Sequence, residues 1–199
     1  MFNQIPNKYY IYKLTKIFIN TFFLRFKRIN YFFLPILHLA SINLLLKFKI
    51  LSKNKFIFFL FDGALLGAVR QGAIAGRAKD VDLGIICNNE TKILEITKYL
   101  KEEFEIKFTG KKSCHLFNKD NTFIDLSFFI LNEEKEKIYH YNNPLKKEMI
   151  FNKNDFFPFI EKKLYFENFY VPNNYEKILV DLYTHEWKKY KSKNQINLI

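Results

Sequence analysis

Two aspartates one residue apart inside an apolar run, Asp80 and Asp82 in KDVDLGIIC, constrain this chain more than any other feature. In a β-strand residues i and i+2 share a face. Residues 81–87 read as a buried strand, so both carboxylates project together from one side of it. Two anions held side by side repel, and their burial costs stability unless a cation sits between them. Mg²⁺ suits that place, because it takes one or two carboxylates plus substrate phosphate oxygens. A pair of solvated acids on an edge strand is the other reading that a bare D-x-D allows. The small-residue segment Asp62-Gly63-Ala64 favours the metal. Residues 64–69 suit one or two helical turns after it, and a glycine turn before a helix N-terminus leaves N–H groups that can cradle a phosphate.

Further along, residues 113–117 and 122–131 read as two strands of a hairpin joined by the Asn118-Lys119-Asp120-Asn121 turn. The second strand carries Asp125 among Phe123, Ile124, Leu126 and Phe128. A carboxylate there is costly to bury unless something pairs with it. A lysine on an edge strand would suffice. If the strand instead lies beside residues 81–87, Asp125 completes a three-carboxylate cluster with Asp80 and Asp82. A glycine turn, a D-h-D strand and a third acid on a neighbouring strand make the layout of the nucleotidyltransferase fold. One or two Mg²⁺ (or Mn²⁺) ions would then neutralise donor phosphates, while the third acid takes the proton of the attacking hydroxyl.

Charge is distributed unevenly. No Asp or Glu precedes Asp62, whereas ten Lys and Arg do, out of a net charge of +12 over 199 residues. Such a basic, aromatic-rich leader is drawn to anionic lipid or polyphosphate, at about 1 kcal/mol per cation near a charged membrane. Nucleic acid would satisfy the same electrostatics. Residues 29–46 are uncharged and mostly apolar, but they contain Pro35, His38, Asn30 and Asn43 and are short for a span. A buried helix over 37–51, with Pro35 near its start, fits them better than a membrane crossing. No secretory signal is expected, because no clean apolar stretch with a small-residue cleavage site follows the start. Cys87 and Cys114 have neither metal-ligand spacing nor scaffold density and fit a reduced cytosolic protein, and the four histidines do not cluster.

The remaining elements follow from periodicity and turn residues. Residues 55–60 suit a strand or helix end. Residues 88–91 carry turn and N-cap residues, and 93–104 have helical spacing. Residues 133–147 read as a polar loop, 174–190 as an amphipathic helix, and the end as a frayed tail. Three units result: a basic helical segment over 1–54, a catalytic domain over 55–190, and a tail over 191–199.

DGALLGAVRQGAI, KDVDLGI, FIDLSFF and FENFYVPNNYEKILVDLYTHEW, in that order, resemble the LicD/fukutin-type phosphotransferases. The likeness covers residues 58–189 in scattered blocks and is densest over 62–86 and 166–187. It implies an α+β nucleotidyltransferase-like mixed sheet flanked by helices, with the basic helical segment before it and a helix at its C-terminal end. It also implies transfer of a phosphorylated alcohol, phosphocholine or ribitol phosphate for example, from a CDP-linked donor to a sugar hydroxyl. The acceptor would be a cell-surface glycan or glycolipid of lipopolysaccharide, capsule or teichoic-acid type. Asp80, Asp82 and Asp125 would be metal ligands and the catalytic acids, with Asp125 the candidate base. Gly63 and Ala64 would cradle the donor phosphates, and Arg70 would offer them a fixed fork. Lys79 would neutralise a phosphate, and His115 would contact donor or acceptor. Tyr175, Tyr183 and Trp187 would pack in the core or line the site.

Two departures bear on the donor. The segment before the D-h-D pair is Gly76-Arg77-Ala78-Lys79, where many members carry acids preceded by Trp. Ala64 replaces the small hydroxyl residue often found after the turn glycine, removing one phosphate hydrogen bond worth on the order of 1 kcal/mol. Thr184 also stands where a Gly often follows the C-terminal tyrosine. Three readings follow: this phosphotransferase on the inner, cytoplasmic face of the membrane, held there peripherally by residues 1–55; a nucleotidyltransferase with another acceptor; or a non-catalytic membrane-associated relative. On the first, no nucleic-acid partner is expected.

Overall fold

The computed structural model describes residues 34–75, 80–110, 112–118, 122–142 and 147–189. Helix α1 (Leu34–Ser52) leads into strand β1 (Phe58–Leu60), helix α2 (Asp62–Gln71) and strand β2 (Asp80–Cys87). Helix α3 (Glu90–Leu100) starts at Asn89, whose side chain accepts from the Lys92 N–H at 2.9 Å. Strands β3 (Glu105–Gly110), β4 (Ser113–Phe117), β5 (Phe123–Asn132), β6 (Lys137–Asn142) and β7 (Lys147–Asn152) follow. A short α4 (Lys153–Phe156), the hairpin β8 (Ile160–Leu164) and β9 (Glu167–Val171), and α5 (Tyr175–Tyr183) complete the helices and strands.

One sheet runs β1-β2-β5-β4-β3, with β6 joined to β5 and β7 to β6. The β2–β5 pair is parallel and the others are antiparallel, so the sheet is mixed, as expected. The hairpin of β4 and β5 stands as the turn residues indicate. Strands β8 and β9 form a separate two-stranded sheet.

The two faces of the large sheet differ. Val81, Leu83 and Ile85 of β2, Ile124, Leu126 and Phe128 of β5, and Cys114 and Leu116 of β4 are all buried. Helix α1 covers this side. Its Phe48 meets Phe58 edge-on at 5.1 Å, and Phe58 is the cross-strand partner of Ile85. Helix α1 contributes Leu44, Leu45 and Phe48 to the same core as the sheet. On the opposite face, Phe59 lies over Gly84, where an added Cβ would stand 2.2 Å from the ring. The same face also carries the buried Phe129 and, beside it, Asp82, Asp125, Ser127, Ser113 and His115.

Several elements differ from the sequence expectation. The supposed loop 133–147 contains β6, whose Ile138 and His140 are buried between outward residues. The 174–190 helix stops at Tyr183, because Thr184 takes φ 64, and a 3-10 turn (His185–Lys188) follows. The helix expected over 93–104 ends at Leu100. Asp62 and Gly63 form the first residues of α2 rather than a separate turn. Among the described residues no helix is long and apolar enough to cross a membrane. Residues 1–33, including most of the basic leader, and the tail lie outside the described residues.

Candidate active site

Strand β1 delivers the chain directly into α2. The Phe61 N–H donates to the Asp82 carbonyl at 3.1 Å, which pins the junction to β2. The next turn is tight, with Asp62 at φ 41. Gly63 then offers its N–H to Asp82 Oδ2 at 3.0 Å. A Cβ on Gly63 would stand 2.8 Å from that oxygen, so only glycine lets the helix start come this close.

Asp82 and Asp125 are direct partners on the parallel strands, a strand spacing of about 4.8 Å apart. Asp80 lies at the exposed start of β2 on the same side. His115 faces Asp125 from β4, with Nε2 3.6 Å from Oδ2. Asp62 closes the group from the helix side, and its Oδ1 accepts a hydrogen bond from the Tyr183 hydroxyl of α5.

These acids press on one another. Burial pushes the Asp62 carboxyl up to about 6, and the charges of Asp125 and Asp80 push the same way. Asp82 is raised well above the usual range by burial, then by Asp62, Asp80 and Asp125, against the single opposing Gly63 N–H. Asp125 is also raised, by burial and by Asp80, while the His115 imidazole pulls it down. A cluster of carboxylates raised by burial and mutual repulsion is a donor set that suits a hard cation. Among the described residues no three His, Cys, Asp or Glu side chains close into a ready-made metal cage. Mg²⁺ does not require one, since it keeps waters and uses substrate oxygens.

Asp80, Asp82, Asp125, Gly63 and His115 thus meet at one place. Ala64 does not join them as a phosphate contact: it is fully buried inside α2, with its side chain in the core. Arg70 stands in the last turn of α2, about 10 Å along the axis from Gly63, and does not line the cavity at the acids. Lys79, with Gly76, Arg77 and Ala78, lies outside the described residues. Of the aromatic residues, Trp187 packs in the core, Tyr175 sits under the Lys162 ammonium at 4.5 Å, and Tyr183 reaches the site through Asp62. Sequence reasoning missed Asp62 as a fourth acid. Its place immediately before Gly63 reads in the sequence as a turn, and only the approach of that glycine to Asp82 brings it to the site.

A mixed sheet that sets acids from two parallel strands and a helix start around one opening is the architecture of the nucleotidyltransferase fold. The chain belongs to the family described as LicD/FKTN/FKRP, nucleotidyltransferase domain, whose model matches residues 55–174. It is 29% identical over 146 residues to an uncharacterized protein, RT0683, of Rickettsia typhi (strain ATCC VR-144 / Wilmington). That match takes in 71% of this chain and 44% of RT0683, so the chain spans less than half the length of that relative. Among solved structures it is similar to the lincosamide antibiotic adenylyltransferase LnuA with lincomycin bound. The TM-score is 0.48 and the identity 14%, over 68% of this chain and 82% of that one.

Proposed function

We propose that the chain transfers a phosphorylated alcohol from a CDP-linked donor to a hydroxyl of a cell-surface glycan. The observation that carries this is the direct pairing of Asp82 with Asp125 across parallel strands, with Asp80 and Asp62 beside them. Asp80, Asp82 and Asp125 would hold Mg²⁺ or Mn²⁺, which supplies charge neutralisation for the donor phosphates. Asp125 takes the proton of the acceptor hydroxyl. His115 alongside orients it. The Gly63 N–H fixes the Asp82 carboxylate, and the Tyr183 hydroxyl fixes Asp62.

The test is CMP release from CDP-ribitol, CDP-glycerol and CDP-choline, with and without Mg²⁺, in the presence of a glycan acceptor. Metal-dependent CMP release supports the reading. Pyrophosphate release from a nucleoside triphosphate, with no turnover of any CDP-alcohol, replaces it with nucleotidyl transfer to another acceptor. No turnover, together with no thermal stabilisation by Mg²⁺ and CDP-alcohols, leaves the non-catalytic relative.

For location, we propose peripheral attachment to an anionic membrane on its cytoplasmic face through residues 1–55. In the described part, Ile50 and Ile57 are exposed beside exposed Lys53 and Lys55, a pairing of apolar and cationic groups suited to an interface. Equal sedimentation of full-length chain and a variant lacking residues 1–28 with phosphatidylserine vesicles would end that assignment.

A further inference from the structure

The β8–β9 hairpin turns through only two residues, Tyr165 and Phe166, since Leu164 pairs with Glu167. Two-residue turns favour Gly, Asn and Asp, because a central residue takes positive φ. Here that residue is Tyr165, at φ 58. Neighbouring elements hold it there. Its N–H donates to the Gly72 carbonyl at 2.5 Å, its hydroxyl accepts from the Ile74 N–H at 3.3 Å, and His38 of α1 bonds the same hydroxyl. Further along α1, Lys49 donates to the Asn168 carbonyl at 2.8 Å and meets the Glu167 carboxylate at 3.1 Å. The hairpin is fastened at its tip as well as along the helix.

Phe166 takes no part in that fastening and stands 61% exposed at the turn. Leu39, next to His38, is 47% exposed. Two large apolar side chains thus flank the His38–Tyr165 contact, whose rings lie 5.7 Å apart. An exposed phenyl ring where small polar residues make the better turn brings no return inside the molecule.

Charge indicates what meets it. Around the tip, Lys49, Lys162 and Lys163 outnumber Glu161 and Glu167, and Glu167 is paired with Lys49. Residues 1–33 join α1 at Leu34, about 6 Å along the axis from His38. They carry Lys8, Lys13, Lys16, Arg25, Lys27 and Arg28 and no acid. The apolar tip therefore stands where a wholly basic length of chain enters the fold. Apolar side chains among cations fit the boundary of an anionic bilayer, where rings settle between headgroups and lysines meet phosphates. A second copy of the chain would set like charges against each other.

We propose that Phe166 and Leu39 form a bilayer-contact point of the folded domain, inserting among the headgroups of an anionic membrane. The proposal rests on the peripheral attachment described above and adds to it a hairpin from the other end of the domain. Helix α2 connects this point to the acids. Gly72, bonded to Tyr165, follows its last residue, and Asp62 begins it, about 15 Å away along the axis.

A polarity-sensitive dye on the full-length chain tests this, attached through Phe166→Cys and read on vesicles of phosphatidylcholine and phosphatidylserine. Cys87 and Cys114 are buried and stay unlabelled. The dye at position 166 should shift to the blue and be quenched at least twofold by a nitroxide on the shallow acyl chain. A dye attached through Leu94→Cys, on α3 and 65% exposed in the wild type, should report water throughout. Phe166→Ser should lower partitioning onto the vesicles at least threefold. Leu39→Cys carries the dye if the label at 166 prevents folding. A dye that stays in water at both positions while the chain sediments with vesicles overturns the proposal and leaves the basic leader as the attachment. Unchanged partitioning of Phe166→Ser overturns it too, as does a blue shift that needs no vesicles and grows with protein concentration. The attachment reading fails differently, when the full-length chain does not sediment at any phosphatidylserine content.

Discussion

Strands β2 and β5 each present two chemistries, one residue apart. Leu83, Ile85, Leu126 and Phe128 point into hydrocarbon and are buried against α1 and the aromatic residues beside it. Asp82, Asp125 and Ser127, their immediate neighbours in sequence, point into an opening where charge is crowded. On the first face each group is satisfied by what packs on it. On the second, Asp82, Asp62 and Asp125 are held in an environment that raises all three, a cost to the fold that a bound cation would relieve. One face supplies stability, while the other draws on it.

Substitutions one position apart should therefore move different observables. The largest effect is expected from Asp82→Asn, with transfer falling by roughly 10³-fold, since metal stabilisation contributes several kcal/mol. The melting temperature should stay level or rise, because a raised, repelled carboxylate becomes neutral. Wild-type CMP release by this variant would break the distinction between the faces. Phe128→Ala should do the reverse, costing about 3–5 kcal/mol in urea unfolding and leaving Mg²⁺-dependent turnover per folded molecule near normal.

His140 sharpens the comparison through pH. Above pH 6.5 neither folded nor unfolded chain protonates it, and it contributes nothing. As pH falls the unfolded chain takes the proton first, because burial holds the folded value near 4 against 6.5. Stability is lost progressively, and the loss is complete below about pH 4, at about 3 kcal/mol. Asp62, raised to about 6, acts with the opposite sign, since protonation relieves its repulsion over much the same range. The histidine's share is isolated by comparing wild type with His140→Phe in urea at pH 7, 5.5 and 4. The gap should move by about 3 kcal/mol in the variant's favour, and parallel curves would refute it. The smallest effect belongs to Lys92→Ala, whose partner Glu95 is solvent-exposed at 2.9 Å. Unfolding should change by less than about 0.5 kcal/mol, with turnover untouched.

The acids on β2 and β5 were legible because strand alternation converts D-h-D and h-D-h into one shared face, whatever covers the other side. Asp62 was not legible as an acid of the site. Beside glycine it reads as a turn former, and only the approach of α2 to Asp82 gives it a place. Strand β6 was hidden because Lys137, Tyr139 and Tyr141 flank Ile138 and His140, so its period of two is written mostly in polar letters. Thr184 ends α5 through its backbone angle, which composition does not reveal. Ala64 and Arg70 show how far a family motif carries: their positions in α2 follow the pattern, but burial and helix length take them away from the acids.

Because β2 and β5 pair in parallel, the chain must travel through α3, β3 and β4 before Asp125 can settle beside Asp82. Closure of so long a loop is paid in entropy before any contact returns it. A nascent chain leaving the ribosome therefore has no competent centre until its fifth strand has emerged, and no fragment ending earlier can hold one.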